Sequence, residues 1–170
     1  MNTNTSLPIP TKEMERALIK KFRKYLWSPF IRAIIDFEMI QQNDRIAIAI
    51  SGGKDSLVMA KLMQELYRHS DIPFEPVFIS MNPGFSKENE SSLIANCKAM
   101  DIPVHFFQSD IFEVTTSIAK ENPCYMCARM RRGSLYAKAK ELGCNKLALG
   151  HHFNDVIETT MLNLLCAGSF

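Results

Sequence analysis

The sequence predicts an α/β fold, a doubly wound parallel sheet preceded by N-terminal helices, and three observations carry that expectation. Arg45–Ile50 (RIAIAI) is a short, almost wholly apolar run, the composition of a strand buried on both faces of a parallel sheet. It leads straight into a Ser51-Gly52-Gly53 turn and then into a segment of helical period. Beyond that point strand-like and helix-like stretches alternate at lengths that suit βαβ units.

Taken in order, Thr11 to about Leu26 has helical period, with Met14, Leu18, Phe22, Tyr25 and Leu26 on one face and Lys12, Arg16, Lys20 and Lys24 on another. Pro29 is expected to interrupt it, and a second helix to run over Phe30–Gln41. After the Arg45–Ile50 strand a helix extends to His69, with Met59, Leu62, Met63 and Leu66 inward. Pro76–Ser80 reads as the second strand and Val104–Phe107 as the third. The helix between them, Ser86–Met100, turns Leu93, Ile94, Cys97 and Met100 inward. Val114–Leu142 is mostly helical with a break at Pro123, and Lys146–Gly150 (KLALG) is a fourth strand. Asp155–Leu165 is a helix with Ile157, Met161, Leu164 and Leu165 inward. The reading divides the chain into a helical extension, 1–42, and an α/β domain, 43–170. A further strand is expected where the chain stops at Phe170, so the sequence reads as truncated there.

Composition narrows the class. The 170 residues suffice for one well-buried domain, 46% are hydrophobic and 22% charged, and the formal charge is only +2. Any nucleic-acid surface must therefore be a local patch. No apolar run approaches the roughly 18–20 residues that span a bilayer, and the polar start lacks a secretory signal pattern, so a cytoplasmic protein is expected. Five cysteines, an odd number, point to thiol or metal chemistry and away from a disulfide framework.

Ser51-Gly52-Gly53-Lys54-Asp55-Ser56, between a buried strand and a helix, has the makings of a phosphate cradle. Glycines let the backbone approach closely, and the N–H groups of the helix start face negative charge. Ser51 and Ser56 add hydroxyls, Lys54 a cation, and Asp55 an oxygen suited to magnesium. The spacing is neither a Walker A loop nor a dinucleotide fingerprint. The plainer alternative is a βα turn whose glycines serve geometry and whose Asp55 or Ser56 caps the helix.

Two later stretches add chemistry. Cys124-x-x-Cys127 stands at a helix start and is followed by Arg129, Arg131, Arg132 and Gly133. Alone, that pair fits a redox couple, half a zinc site, cluster ligands or a persulfide relay. The arginines read either as a solvated helix face or as phosphate contacts. Gly150-His151-His152-Phe153-Asn154-Asp155 follows the fourth strand, on the rim where open parallel sheets bind ligands. Adjacent side chains of an extended segment point oppositely, so one histidine is expected to face the site. Asp155-x-x-Glu158 also fits a capping box.

SGGKDS in this setting resembles the signature of the PP-loop ATP pyrophosphatases. With C-x-x-C-x-R-x-R-R-G and G-H-H-x-x-D it resembles the tRNA 2-thiocytidine synthetases. The resemblance implies an adenine nucleotide alpha hydrolase-like fold and an ATP-dependent tRNA sulfurtransferase. Such an enzyme adenylates the C2 carbonyl of an anticodon-loop cytidine and replaces the oxygen with sulfur, releasing AMP and pyrophosphate. The alternatives are adenylation of another tRNA base or of a small substrate, and nucleotide binding without turnover.

The resemblance also implies site residues and partners. Ser51, Gly52, Gly53, Lys54, Asp55, Ser56, Ser80, His151 and Asp155 would hold ATP, with Asp55 on Mg2+. Lys54, Asp55, Cys124 and Cys127 would be catalytic, the two cysteines ligating an iron–sulfur cluster of the 4Fe-4S type. Arg129, Arg131 and Arg132 would meet tRNA. The partners implied are tRNA, a sulfur donor (a cysteine desulfurase or sulfide) and a second copy of the chain; no membrane is implied. The family's third cluster cysteine would fall beyond residue 170, leaving Cys97 and Cys166 as core residues and Cys144 as a turn residue. Asn154 departs from the family pattern, which has an aspartate there.

Overall fold

The computed structural model describes residues 10–109 and 123–167, with side chains described for 10–109 and 129–166. Four parallel strands, β1 (Arg45–Ala49), β2 (Glu75–Asn82), β3 (Val104–Gln108) and β4 (Lys146–Ala148), form one sheet in the order β3-β2-β1-β4. The chain moves outward from β1 to β3 and then crosses back to β4, so the direction of winding switches between β1 and β4.

The apolar run of β1 is explained by burial on both faces. Ile46, Ile48 and Ile50 join Phe78, Met63, Leu66, Leu93 and Cys97 in one core cluster. Ala47 and Ala49 join Val77, Ile79 and Ala139 in a second. Small residues on that second face let the helix α5 (Pro123–Glu141) lie close to the sheet. On the first face lie α3 (Lys54–His69) and α4 (Lys87–Ala99), the latter capped by the Ser86 hydroxyl, which accepts from the Asn89 N–H at 3.3 Å. Cys97 is buried there, which pushes its thiol pKa up. Ile94, expected inward, is exposed.

The N-terminal helices differ from the simple pattern. Thr11–Arg16 is α-helical (α1), but Ala17–Lys21 and Arg23–Trp27 are π-helical segments separated by Phe22 at φ −99°, ψ 14°. The extra residue per turn rotates Phe22 and Tyr25 outward, so both are exposed where a regular helix would bury them. Pro29 does not break the chain path. It sits in the first turn of α2 (Ser28–Asp36), directly after the π-helical segment, so the helical path runs through it. That helix ends at Asp36, ahead of the expected Gln41, because Phe37 leaves helical geometry and Glu38 has φ +46°.

A buried ion network ties α1 to α3. Lys61, only 1% exposed, donates to Glu15 Oε1 at 2.8 Å, Gln64 Oε1 at 2.6 Å and the Met100 carbonyl at 3.1 Å, which uses all three ammonium protons. Arg68 donates to Glu15 and to Glu65, each at 2.7 Å. Burial alone would raise the Glu15 pKa, but hydrogen bonds from Lys61 and Arg68 outweigh it and hold it below the ordinary value. At the other end of the sheet Asp44 behaves alike. Desolvation raises it, and hydrogen bonds from Lys146, the Gln41 N–H and Asn145 lower it further. Both native pKa values are depressed, so the stabilisation is complete above the unfolded carboxylate pKa values of about 4 and is lost as pH falls through the native ones. Acid unfolding monitored by far-UV circular dichroism is expected to begin below about pH 4, with Asp44→Asn flattening that limb.

The end of the chain also departs from expectation. Helix α6 (Phe153–Leu162) starts two residues earlier than the pattern predicts and continues as a π-helical segment, Asn163–Ala167. Ile157, Met161, Leu164 and Leu165 are exposed, and so is Cys166, which is not a core residue. Beside a three-residue edge strand, α6 has no described sheet face to cover.

Candidate functional site

The turn after β1 is shaped by its own side chains. Gly52 has φ +88°, a conformation that favours glycine, and a Cβ there would stand 3.3 Å from Leu93 Cδ1 on α4. The Ser56 hydroxyl donates to the Gly53 carbonyl at 2.8 Å and lies 3.2 Å from both the backbone N–H and the hydroxyl of Ser51. Ser56 is buried, and its hydroxyl therefore braces the loop. Ser80 is 1% exposed beneath it and donates to the Ile50 carbonyl at 2.8 Å, supporting the strand end from below and presenting no hydroxyl at the surface.

What remains open is the start of α3. Gly53 is its N-cap, and no side chain caps the first-turn N–H groups. Lys54 and Asp55 are exposed in that turn, 3.2 Å apart through Nζ and Oδ2, without further described partners. Uncapped amides, a helix dipole and an exposed ammonium, paired only loosely with its neighbour, are together suited to an anion. The exposed Asp55 carboxylate beside it suits a magnesium ion shared with phosphate oxygens.

The second loop meets the first directly. Gly150, just past β4, lies against the first turn of α3. A Cβ on Gly150 would stand 3.0 Å from Ser56 Cα, 3.1 Å from Ser56 N and 3.4 Å from Asp55 C. Sequence reasoning quoted Gly150 within a motif but gave it no role; its only signal was a glycine at a strand end. His151 and His152 follow, both exposed, and together with Lys54 and Asp55 they line the mouth of an apolar cavity of about 780 Å³. Leu26, Phe30 and Ile34 of the N-terminal helices form part of its body.

Asp155 takes part in a cap, but not with Glu158. The Asp155 N–H donates to His152 Nδ1 at 3.3 Å, and the His152 N–H donates to Asp155 Oδ2 at 2.8 Å. The box is displaced because α6 begins at Phe153. His152 is thereby held at the helix start, and His151 takes no part in the cap.

Helix α5 completes the rim. It leads into a strand parallel to β1, so it must run back against the sheet and begin on the side of the C-terminal strand ends, beyond them. Ser109, just past β3, lies 3.3 Å from Ser134 through their hydroxyls, about three turns after the helix start. Cys124 and Cys127 fall in the first turns of α5, and their side chains lie outside the described ones. Positions i and i+3 share one helix face, which fits two ligands of a cluster. Among the described residues no group of three or more His, Cys, Asp or Glu could hold a metal ion. Arg129, Arg131 and Arg132 are exposed one turn further on.

A family model for the PP-loop domain matches residues 15–169. The chain belongs to the PP-loop family. PP-loop relatives include the tRNA-cytidine(32) 2-sulfurtransferase of Pelobacter propionicus, 38% identical over 166 residues, covering 95% of this chain and 61% of that one. The tRNA-cytidine(32) 2-sulfurtransferase of Teredinibacter turnerae is 38% identical over 158 residues, covering 90% and 51%. Among solved structures, the U34-tRNA thiolase NcsA from Methanococcus maripaludis with its [4Fe-4S] cluster aligns with a TM-score of 0.66 and 29% identity, over 79% of this chain and 48% of that one. The chain thus spans about half to three-fifths of the length of these PP-loop proteins.

Proposed function

We propose that this chain carries the ATP-activating site of a tRNA sulfurtransferase that converts an anticodon-loop cytidine to 2-thiocytidine. The observation that carries the reading is the uncapped start of α3, with Lys54 and Asp55 exposed in its first turn and Gly150 locked against it. The names of the sulfurtransferase relatives supply the substrate class.

In this reading the β and γ phosphates of ATP rest on the Gly52-Gly53 backbone and the first-turn amides. Lys54 neutralises charge that moves onto the departing pyrophosphate, and Asp55 would hold Mg2+ there. Ser51, Ser56 and Ser80 keep the loop in the receiving shape, and His151 borders the α phosphate. The C2 carbonyl oxygen of the cytidine forms a bond to the α phosphorus as the bond to pyrophosphate breaks. A sulfur nucleophile then adds at C2, the C–O bond to AMP breaks, and AMP leaves with the former carbonyl oxygen.

Cys124 and Cys127 would hold two positions of a 4Fe-4S cluster, which when bound supplies an iron site for sulfur. Arg129, Arg131 and Arg132, exposed on the same helix, would meet tRNA phosphates. The sulfur donor would be a cysteine desulfurase or sulfide, the compartment the cytoplasm, and the assembly a homodimer, with 1–42 as a helical extension to the domain at 43–170. None of the described helices is long and apolar enough to cross a membrane.

A second reading, thiolation of a uridine, is favoured by one observation, the likeness to a U34-tRNA thiolase. Nucleoside mass spectrometry of tRNA from cells lacking the full-length gene separates the two. The expected result is loss of 2-thiocytidine, restored by the wild-type gene and not by Lys54→Ala. Loss of a thiouridine in its place would establish the second reading. Normal levels of both would sink tRNA thiolation, and tRNA-stimulated pyrophosphate release by the purified protein would then test whether the ATP site stands alone.

A further inference from the structure

A second surface stands apart from the phosphate loop. Of the twenty Lys and Arg, six fall within Arg16–Arg32, and none of the eighteen Asp and Glu does, so the rest of the chain is net negative. The two π-helical segments gather these cations in space. Lys20, Lys21, Arg23 and Lys24, with Arg32 from α2, line a cleft of about 620 Å³ whose one acidic lining residue is Asp36. None of the five is in an ion pair among the described residues. A merely solvating charged helix would be laced with carboxylates at i+3 and i+4; Lys20, Lys21, Arg23 and Lys24 have none, and Arg32 has Asp36 at i+4 without an ion pair to it among the described residues. Beside the cations, Tyr25 is 74% exposed and Phe37 73% exposed.

We infer that this cleft is an RNA-binding surface that grips the phosphate backbone of the tRNA and offers Tyr25 or Phe37 to an unpaired base. The inference rests on the tRNA reading above and gives it a second contact region. Unpaired cations interleaved with exposed aromatics are the chemistry of backbone neutralisation and base stacking. An anionic membrane surface would need the apolar face of these helices. Most of that face is turned inward, with Trp27, Phe30, Ile31 and Ile34 packed on the core, and Phe22 and Ile35 are left outside it. Position supports the assignment as well. Leu26, Phe30 and Ile34 of the same helices line the cavity that ends at Lys54, Asp55 and His151, so the cleft lies about one helix diameter, roughly 10 Å, from that cavity. A tRNA held there would have its neighbouring segments within reach of the ATP rim.

The test is salt-dependent tRNA binding by the 170-residue chain, comparing wild type with the triple variant Lys21→Gln, Lys24→Gln, Arg32→Gln. The comparison includes a charge-keeping pair, Lys21→Arg, Lys24→Arg, and a rim variant, Arg129→Gln, Arg131→Gln, Arg132→Gln. The triple variant is expected to lose tRNA affinity roughly tenfold at moderate salt, and its slope of log affinity against log salt to shrink by about two. The charge-keeping pair should bind as wild type does, and all variants should keep wild-type circular dichroism and ATP affinity. Wild-type affinity and slope in the triple variant, with binding lost in the rim variant, would overturn the cleft while leaving the tRNA reading intact. Wild-type binding to phosphatidylserine vesicles through these residues, without tRNA binding, would overturn both.

Discussion

Gly150→Ala is expected to weaken ATP binding at least tenfold and to cost about 1–3 kcal/mol of stability, the range for overpacking a tight contact. The methyl group would meet the backbone of Ser56 and Asp55 at 3.0–3.4 Å, and backbone cannot swing aside as a side-chain tip can. Relief requires the first turn of α3 to shift, and that turn carries the amides that face the phosphates. Titration calorimetry with ATP checks the first effect and thermal unfolding the second. Gly133→Ala is the control, since a Cβ there meets nothing within 4 Å and the site is helical; it should stabilise slightly, by up to about 1 kcal/mol. Equal ATP affinity in Gly150→Ala and wild type would show that the two loops are not mechanically joined.

Lys54→Ala should reduce tRNA-dependent pyrophosphate release by roughly 100- to 1000-fold, the usual effect of deleting one donor aimed at developing charge. Asp55→Ala should act comparably and remove the response to added Mg2+. Both side chains are exposed and, among the described residues, paired only with each other, so neither loss should disturb folding. Neither should affect an iron–sulfur chromophore held at Cys124 and Cys127, which lie on a different helix. Loss of that chromophore with pyrophosphate release preserved would reverse the division of labour between the loop and the cysteine pair.

The sheet was legible because its first two strands are central. Ile46, Ala47, Ile48 and Ala49 are buried on both sides, and such a run has few other structures open to it. The Gly-Gly turn was legible for a similar reason, since Gly52 occupies a backbone region that other residues avoid. Failures clustered where period alone decides. Phe22 and Tyr25 keep a helical spacing in sequence, but π-helical segments rotate them to solvent, and nothing local to those residues marks the change. Ile157, Met161 and Cys166 are apolar at suitable positions, yet they lie beyond an edge strand, where position along the chain does not say what covers them. Within the site, residue types pointed to the rim, but distances assigned the roles. Only the short contacts of Ser56, Ser80 and His152 show that these side chains brace the loops. Gly150 could not be weighted without knowing what stands opposite its missing side chain.

The Ser56 hydroxyl, held between Gly53 and Ser51, bears on how a nucleotide is received. With Gly52 in its unusual conformation and Ser80 anchoring the strand end, the cradle is held in shape by contacts within the chain itself. The disorder that a slack loop would surrender on binding has been surrendered during folding. Capture of ATP is then governed by encounter and complementarity, not by a slow rearrangement of the receptor.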